Sequence, residues 1–531
     1  MKLMPRIRAT GWLTGFFCFF LASCLVVIHV RLYHYAFDDA FIHFRVVRNL
    51  FETGNPYYNT NDMVKVSTSS GWIVFLTIPF GIANLINIEN NFPLIISITN
   101  ALILLCGLYV YTRIVEVLLK NRLSISKKLL FQVSFTALLL PSSIGLMETP
   151  FALLIAGLGI YLLIRSKPSG FALLGLATFF RVELFILIGL TILFVIVNKQ
   201  FRLRQIIGYS LLGLIPFTIY DLYFYHTLMP HSIIAKSTIY SLTTFDILLY
   251  MFTTLPIILK RNNHILFGII SVTVLVTVIM TSWAVFREKK IIKDFWAMIF
   301  CLLSLGIIGI YVFGPALIFA WYTPLYMIPI LVACFVCSFE IEFPRNITLI
   351  IPLIALFLLS AISIIRTFYA SVYNPSAYYF FESGARVKTY LEVGSILNDE
   401  YPNATLLTSE IGGLGYAFEG QILDAVGLAS PDALAFHPME VPELRESGVL
   451  GAIPPEYVRS TMPDIIVSYD LFAHALLQDD IISQYNVIVI PAYLPEDEIY
   501  SEDQTIWGSK YLIVFIHLSL PVSERIYALG Q

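Results

Sequence analysis

A succession of apolar runs, many of them bounded by lysine or arginine at one end, limits what this sequence can become. A helix needs roughly 20 apolar residues to cross the hydrocarbon core of a bilayer. Backbone amides find no water there, so such runs fold into helices that satisfy their own hydrogen bonds. Of the 531 residues, 58% are hydrophobic and 13% charged, about half the charged share of a soluble domain. The chain therefore reads as a polytopic α-helical membrane protein. Its net charge of −3 gives no reason to expect a nucleic-acid partner.

Basic residues set the topology. Lys2, Arg6 and Arg8 precede the first run, Gly11 to Val30, and no small-residue cleavage site follows it. It reads as an uncleaved span with a cytoplasmic N-terminus. The polar, aromatic loop of residues 31–70 then lies outside. Trp72 to Ile88, interrupted by Pro79 and Gly81 and followed by no basic residue, reads as a half-inserted helix. Phe92 to Leu119 crosses inward, Leu129 to Leu146 outward, and Phe151 to Ile164 returns. Phe171 to Phe180 and Leu184 to Val197 form a pair broken at Arg181-Val182-Glu183, and Ile206 to Tyr225 goes out again. Ser237 to Leu259 reads as lying along the outer surface. Ile265 to Phe286, Phe295 to Phe313, Leu317 to Phe339 and Ile347 to Ile365 complete about eleven spans.

Composition changes at Arg366, dividing the chain into a membrane domain, 1–368, and a soluble domain, 369–531. In the latter, Glu382 to Asn398 has helical character. Thr405 to Ser409, Ile465 to Ser468, Val487 to Ile490 and Tyr511 to His517 read as buried strands. Strands alternating with helices predict a small α/β sheet on the outer membrane face. The run IGGLGYAFEG lacks the GxGxxG spacing and reads as a tight turn more readily than as a phosphate cradle. All six cysteines lie in apolar runs. Cys334 and Cys337 make a CxxC within a span, with no His or second pair nearby, and read as small apolar filler.

The rare polar residues near the membrane all fall at outer ends by this topology. Asp38 and Asp39 follow the first span directly, and adjacent carboxylates at that depth are costly without a purpose. Asp38 alone fits as the cap of a short helix from Ala40 to Leu50, ending before Gly54. The second carboxylate has no such account, and repulsion with burial would lift one of the pair toward the range of a general base. Glu148, Arg181, Glu183, His231, Lys236, Trp321 and Tyr322 share the face. Each has a plain structural account as well. Glu148 caps the helix near Pro150, and Arg181 and Glu183 neutralise each other. Lys236 snorkels to the interface, and Trp321 and Tyr322 are belt aromatics. Read together, they predict one outward cavity. Arg181, His231 and Lys236 would hold an anionic phosphate there, with Trp321 and Tyr322 beside a sugar ring. A carboxylate base beside a cationic phosphate site at the lipid surface implies group transfer from a phospholipid-like donor.

The ordered segments DDAFIHFRVVRNLFETGNPYYN, STSSGW, GLMETPFALLIAGLGIYLL, GLATFFRVELFIL, YFYHTLMPHSIIAK, FAWYTPLYMIPIL and TSEIGGLGYAFEGQILDAVGL span most of residues 35–430. In this series the chain resembles the GT-C superfamily of polyprenyl-phosphate-sugar glycosyltransferases, and within it the mycobacterial terminal arabinofuranosyltransferase branch. The resemblance implies that Asp38 and Asp39 are the acidic pair of the first outer loop, one of them the base. Glu148 falls at the family's Glu-Thr position, Arg181 and Glu183 at its Arg-Pro-Glu, and His231 and Lys236 in its outer loop. Val182 stands where Pro is usual, Lys65 where an acidic residue is common, and Ser67 where an aromatic is.

The expectation is an inverting glycosyltransferase of the cell membrane. It would move a sugar from a polyprenyl phosphate to an envelope glycan, lipid or protein on the periplasmic or extracellular side. Glu148, Glu183, Trp321 and Tyr322 would contact substrate. Clustered carboxylates suit a hard cation, but no dedicated ligand set is present, so no metal or other cofactor is expected. The rival readings are a flippase for lipid-linked envelope precursors and a non-catalytic assembly protein. A transporter would be expected to show repeated halves and charges spread through the membrane depth. A cysteine placed at Asn403 should react with an impermeant thiol reagent from outside intact cells, and one at Ser126 only after permeabilisation. The opposite labelling would invert the topology.

Overall fold

In the computed structural model, residues 19–120, 123–239, 295–314, 319–340, 347–378, 380–439, 453–492 and 508–530, with 244 and 506, are described. The first helix, α1 (Phe19–Tyr35), meets α2 (Asp38–Thr53) at an 83° bend. The helix α2 starts two residues earlier than expected and ends on Gly54, whose left-handed φ of 78° closes it. Asp38 does not cap its own helix. Phe37 holds the N-cap position without a side-chain bond.

Helix α3 (Ser70–Leu85) buries Trp72, Leu76 and Phe80 against its neighbours and exposes Val74, Ile78, Ile82 and Leu85. An apolar stripe exposed at a spacing of three to four residues fits contact with lipid chains. At about 24 Å the helix is too short to cross a core of about 30 Å.

The bundle continues with α4 (Phe92–Leu118), α5 (Ile125–Ile144) and α6 (Thr149–Ile164). Next come α7 (Gly170–Ala177) and α8 (Phe185–Val197), separated by a single 3₁₀ turn, Val182–Leu184. The set is completed by α9 (Leu203–Tyr225), α10 (His231–Ile239), α11 (Phe295–Phe313), α12 (Thr323–Glu340) and α13 (Ile347–Val372). Where α7 crosses α9, an added Cβ on Gly213 would stand 2.1 Å from the Ala172 carbonyl oxygen. Small residues let these backbones meet where no hydrophobic effect drives them together.

Among the described residues, five helices are long and apolar enough to cross a membrane, six if the bent pair α1 and α2 is one broken span. This is a multi-pass membrane architecture. The described residues alone do not test the expected total of about eleven. Phe151 to Ile164 and Leu184 to Val197, read as crossings, fall within the shorter apolar helices Thr149–Ile164 and Val182–Val197. The expected segment Ile265 to Phe286, and Ser237 to Leu259 beyond residue 239, lie outside the described residues.

The last long helix continues to Val372, past the composition change at Arg366, before the second domain begins. There α14 (Phe381–Glu400) lies against a five-stranded sheet ordered β2-β1-β3-β5-β4. The strands are β1 (Thr405–Thr408), β2 (Gln421–Asp424), β3 (Ile465–Tyr469), β4 (Tyr485–Pro491) and β5 (Tyr511–His517). Strands β2, β1 and β3 run parallel, and β5 runs antiparallel to both of its neighbours, β3 and β4. Every residue of β3 is buried, the continuous apolar run of a strand covered on both faces. The outer edge of β2 is covered by the loop after α2. Asn59 donates to the Ile422 carbonyl at 2.9 Å and accepts from the Ile422 amide at 3.1 Å.

That loop is also tied into the bundle. Lys65 Nζ lies 2.6 Å from Asp221 Oδ2 on α9, both side chains almost fully buried, and Ser70 donates to Asp221 Oδ1 at 2.6 Å. Removing one partner of a buried pair strands the other charge, at about 3–5 kcal/mol. Asp221→Ala should therefore lower the thermal unfolding temperature in detergent well below wild type. Lys65→Met with Asp221→Leu should recover most of the loss.

Candidate active site

Beneath the second domain, α2, α10, the 3₁₀ turn before α8, the end of α11 and the start of α12 enclose a pocket of about 200 Å³. One water needs roughly 10–15 Å³ measured this way, so the space fits a ligand rather than a few solvent molecules. Its wall includes Asp39, His43, Glu148, Arg181, Glu183, Lys236, Tyr311, Trp321 and Tyr322. Residues as distant in sequence as 39 and 322 meet here.

Arg181 is the centre of this wall and is 1% exposed. The break between α7 and α8 puts it in extended backbone, with φ of −146° and ψ of 114°, instead of in a helix. Its Nη1 donates to Glu148 Oε1 at 2.5 Å, and its Nε to Glu183 Oε2 at 3.1 Å, with Nη2 bonding Glu183 Oε1. Tyr311 donates its hydroxyl to Glu183 Oε1 at 2.6 Å, and the guanidinium lies 4.2 Å from the Tyr322 ring centroid. Two carboxylates thus surround one guanidinium, the fork geometry that suits arginine. This is the self-neutralising arrangement extended by Glu148, and it leaves Arg181 committed to carboxylates rather than presented to a phosphate.

Lys236, on α10, reaches the pocket from the opposite side. Its Nζ is 3.5 Å from Asp39 Oδ2 and 4.6 Å from the Phe319 ring centroid. His231, expected with it on the phosphate, is not part of the pocket wall. Its backbone amide donates to the Lys65 carbonyl at 2.9 Å, and the turn of α10 presents Ser232, Ile233 and Lys236 instead. Trp321 lines the wall as well. Its ring stacks on Phe319, with centroids 4.6 Å apart, and meets Phe37 at 4.5 Å. Its carbonyl accepts from Ser142 at 3.3 Å and Thr149 at 3.1 Å, so a role as a belt aromatic does not describe it.

The acidic pair is divided. Asp39 faces the pocket. Asp38 turns away and accepts hydrogen bonds from the amides of Gly412 and Gly413, each at 2.9 Å. Burial lifts the Asp38 carboxyl above its usual range, opposed by Arg386 and by those amides, and repulsion from Asp39 is a smaller contribution. The IGGLGYAFEG run, read as a tight turn, is a short helix, Gly413–Ala417, and the anion at its start belongs to Asp38.

Sequence reasoning missed His43 and Tyr311. His43 is one helical turn beyond Asp39, and that i, i+4 spacing was a usable signal. Tyr311 ends an apolar run and carried none. No group of three or more His, Cys, Asp and Glu side chains among the described residues is arranged to hold a metal ion.

Two crystal structures of ArnT from Cupriavidus metallidurans resemble this chain over almost its whole length. The one bound to undecaprenyl phosphate has a TM-score of 0.54 at 11% identity, covering 97% of this chain and all of the other. The apo structure gives 0.53 at 11%, with 99% of each chain covered. The fold is that of ArnT. Neither likeness points to the arabinofuranosyltransferase branch. At this identity the likeness carries no residue roles. A family described as Domain of unknown function (DUF8728) matches residues 378–511, most of the second domain. No curated protein matches the sequence.

The Arg181 network makes a direct prediction. Arg181→Lys keeps the charge but cannot span Glu148 and Glu183 together, leaving a buried acceptor unsatisfied at about 1–3 kcal/mol. The variant should unfold at a lower temperature in detergent than wild type, and an unchanged melting curve would contradict the clamp.

Proposed function

We propose that this protein is a membrane glycosyltransferase that moves a sugar from a polyprenyl-phosphate donor to a cell-envelope glycan, lipid or protein. The observation that carries this reading is Asp39 and Lys236 facing one another at 3.5 Å across the wall of a single pocket. It is supported by the fold, shared with a protein crystallised with undecaprenyl phosphate. The pocket lies at the end of the bundle that the second domain covers, and the topology read from lysines and arginines puts that end outside the cytoplasm.

The chemistry follows from the two charges. Asp39 accepts the proton of an acceptor hydroxyl as its oxygen attacks the anomeric carbon. The bond from that carbon to the phosphate oxygen breaks, and the oxygen keeps the electron pair. Lys236 neutralises the charge that develops on the departing phosphate. Attack opposite the leaving group inverts the anomeric centre. Arg181 serves this site indirectly, by holding Glu148 and Glu183 in place.

For the sugar, the pocket offers buried polar atoms that make no hydrogen bond among the described residues: Glu148 Oε2, His43 Nδ1 and Trp321 Nε1. A carboxylate oxygen can only accept and an indole N–H only donate, so sugar hydroxyls satisfy both.

Purified protein assayed in detergent against a panel of polyprenyl-phosphate sugars tests the reading. Asp39→Asn should reduce kcat by about 10²–10⁴-fold, the usual worth of a positioned base, with donor binding retained. Lys236→Ala should weaken donor binding and lower kcat together. Full transfer by Asp39→Asn would remove the base assignment. Donor movement across vesicles without transfer would favour a flippase.

A further inference from the structure

The two adjacent aspartates divide their work by facing in different directions, and the second domain is what sets the direction. Successive residues of a helix point about 100° apart, so Asp38 and Asp39 cannot share one face. On α2, Asp38, Phe41, Arg45 and Arg48 recur at the spacing of a single stripe, and all four contact the segment of residues 411–420. Asp38 takes the amides of Gly412 and Gly413. Phe41 meets the Tyr416 ring at 5.6 Å. Arg45 bonds the carbonyls of Gly415 and Phe418 and reaches that of Gly420 at 2.8 Å. Arg48 lies 3.6 Å from Glu419. The adjoining stripe, Asp39, Ile42 and His43, lines the pocket.

On the membrane side, the Phe37 amide donates to the Gly145 carbonyl at 3.3 Å, and Phe44 and Phe51 meet Phe92 and Phe80 at 4.9 and 5.5 Å, apolar contacts without the directionality of the hydrogen bonds to the second domain. Tyr58, beyond the far end of the helix, donates to the Ile411 carbonyl at 2.5 Å. The fit at Asp38 is close. A Cβ on Gly412 would lie 2.0 Å from the Asp38 carbonyl oxygen and 2.4 Å from its Cγ.

We infer that Asp38 is a positioning residue: by docking on the Gly412–Gly413 amides it fixes the rotation of α2, and so the second domain holds Asp39 in the pocket. The inference rests on the glycosyltransferase reading for its catalytic consequence. The docking itself is independent of any reaction.

The experiment compares Asp38→Asn and Gly412→Ala with wild type and Asp39→Asn, in purified full-length protein. Asn retains one acceptor but turns an amide N–H toward a glycine N–H, so one bond is lost. A misplacement near 1 Å costs about 10²-fold in rate. Both variants should lose about that factor in kcat, with donor KM moving less than about threefold and the acid limb of the kcat/KM–pH profile kept. The double variant should lose no more than the worse single one. Hydrogen exchange of the amides of residues 40–43 should rise in both, with or without donor.

Loss of the acid limb in Asp38→Asn would make Asp38 the reacting base and overturn the inference. Unchanged kcat and unchanged exchange would overturn it equally. If wild type transfers no sugar, the functional reading fails, while the exchange result still decides the docking. Gly412→Ala leaves the Asp38 side chain intact, so it tests the contact even if Asp38→Asn does not fold.

Discussion

A buried guanidinium between two carboxylates holds the membrane end of this protein together. Arg181 joins Glu148 at the start of α6, Glu183 in the interruption before α8 and, through Glu183, Tyr311 at the end of α11. A charge at this depth is costly alone, and removing Arg181 would leave two buried carboxylates without a cation. Three helices are therefore held at one point by bonds that cannot be relaxed singly. The break between α7 and α8 belongs to the same arrangement. Irregular backbone at membrane depth is tolerated where it lines a cavity, and here it supplies the residue on which the wall depends.

The pocket combines this rigid wall with a second wall drawn from α2. One comes from helices tied to each other inside the bundle, the other from a helix whose outer stripe is gripped by the second domain. Asp39 stands on the second and Glu148, Arg181 and Glu183 on the first. The chemistry proposed here needs the two walls in register, and the bonds from Asp38 and Arg45 to the 411–420 segment are where that register is set.

Much of this could be read from the chain itself, for identifiable reasons. The runs Phe92 to Leu119 and Phe295 to Phe313 are long and predominantly apolar, and the helices differ from them by no more than a residue. Four of the five strands were visible as short β-branched runs. The strand β2 was not, because its four residues follow a glycine-rich segment that masks them. Clustering of the rare charges at one end followed from the positive-inside rule, yet the rule says nothing about direction within a helix. It could not separate Asp38 from Asp39, nor show that Arg181 would be consumed by two carboxylates. Asp221 is the instructive omission. A lone acid in the run Ile206 to Tyr225 signals a buried partner, and that partner is Lys65, which the family resemblance had marked only as a departure.

The edge of the sheet at β2 carries a final consequence. An open strand edge is a template on which another chain can extend the sheet, and soluble proteins block such edges in several ways. Here the block is Asn59, a residue of the membrane half, which occupies both backbone groups of Ile422. The soluble half is thus chaperoned by its own anchor. Severed from it, the domain would offer that strand to its neighbours, so the two halves form a solubility unit.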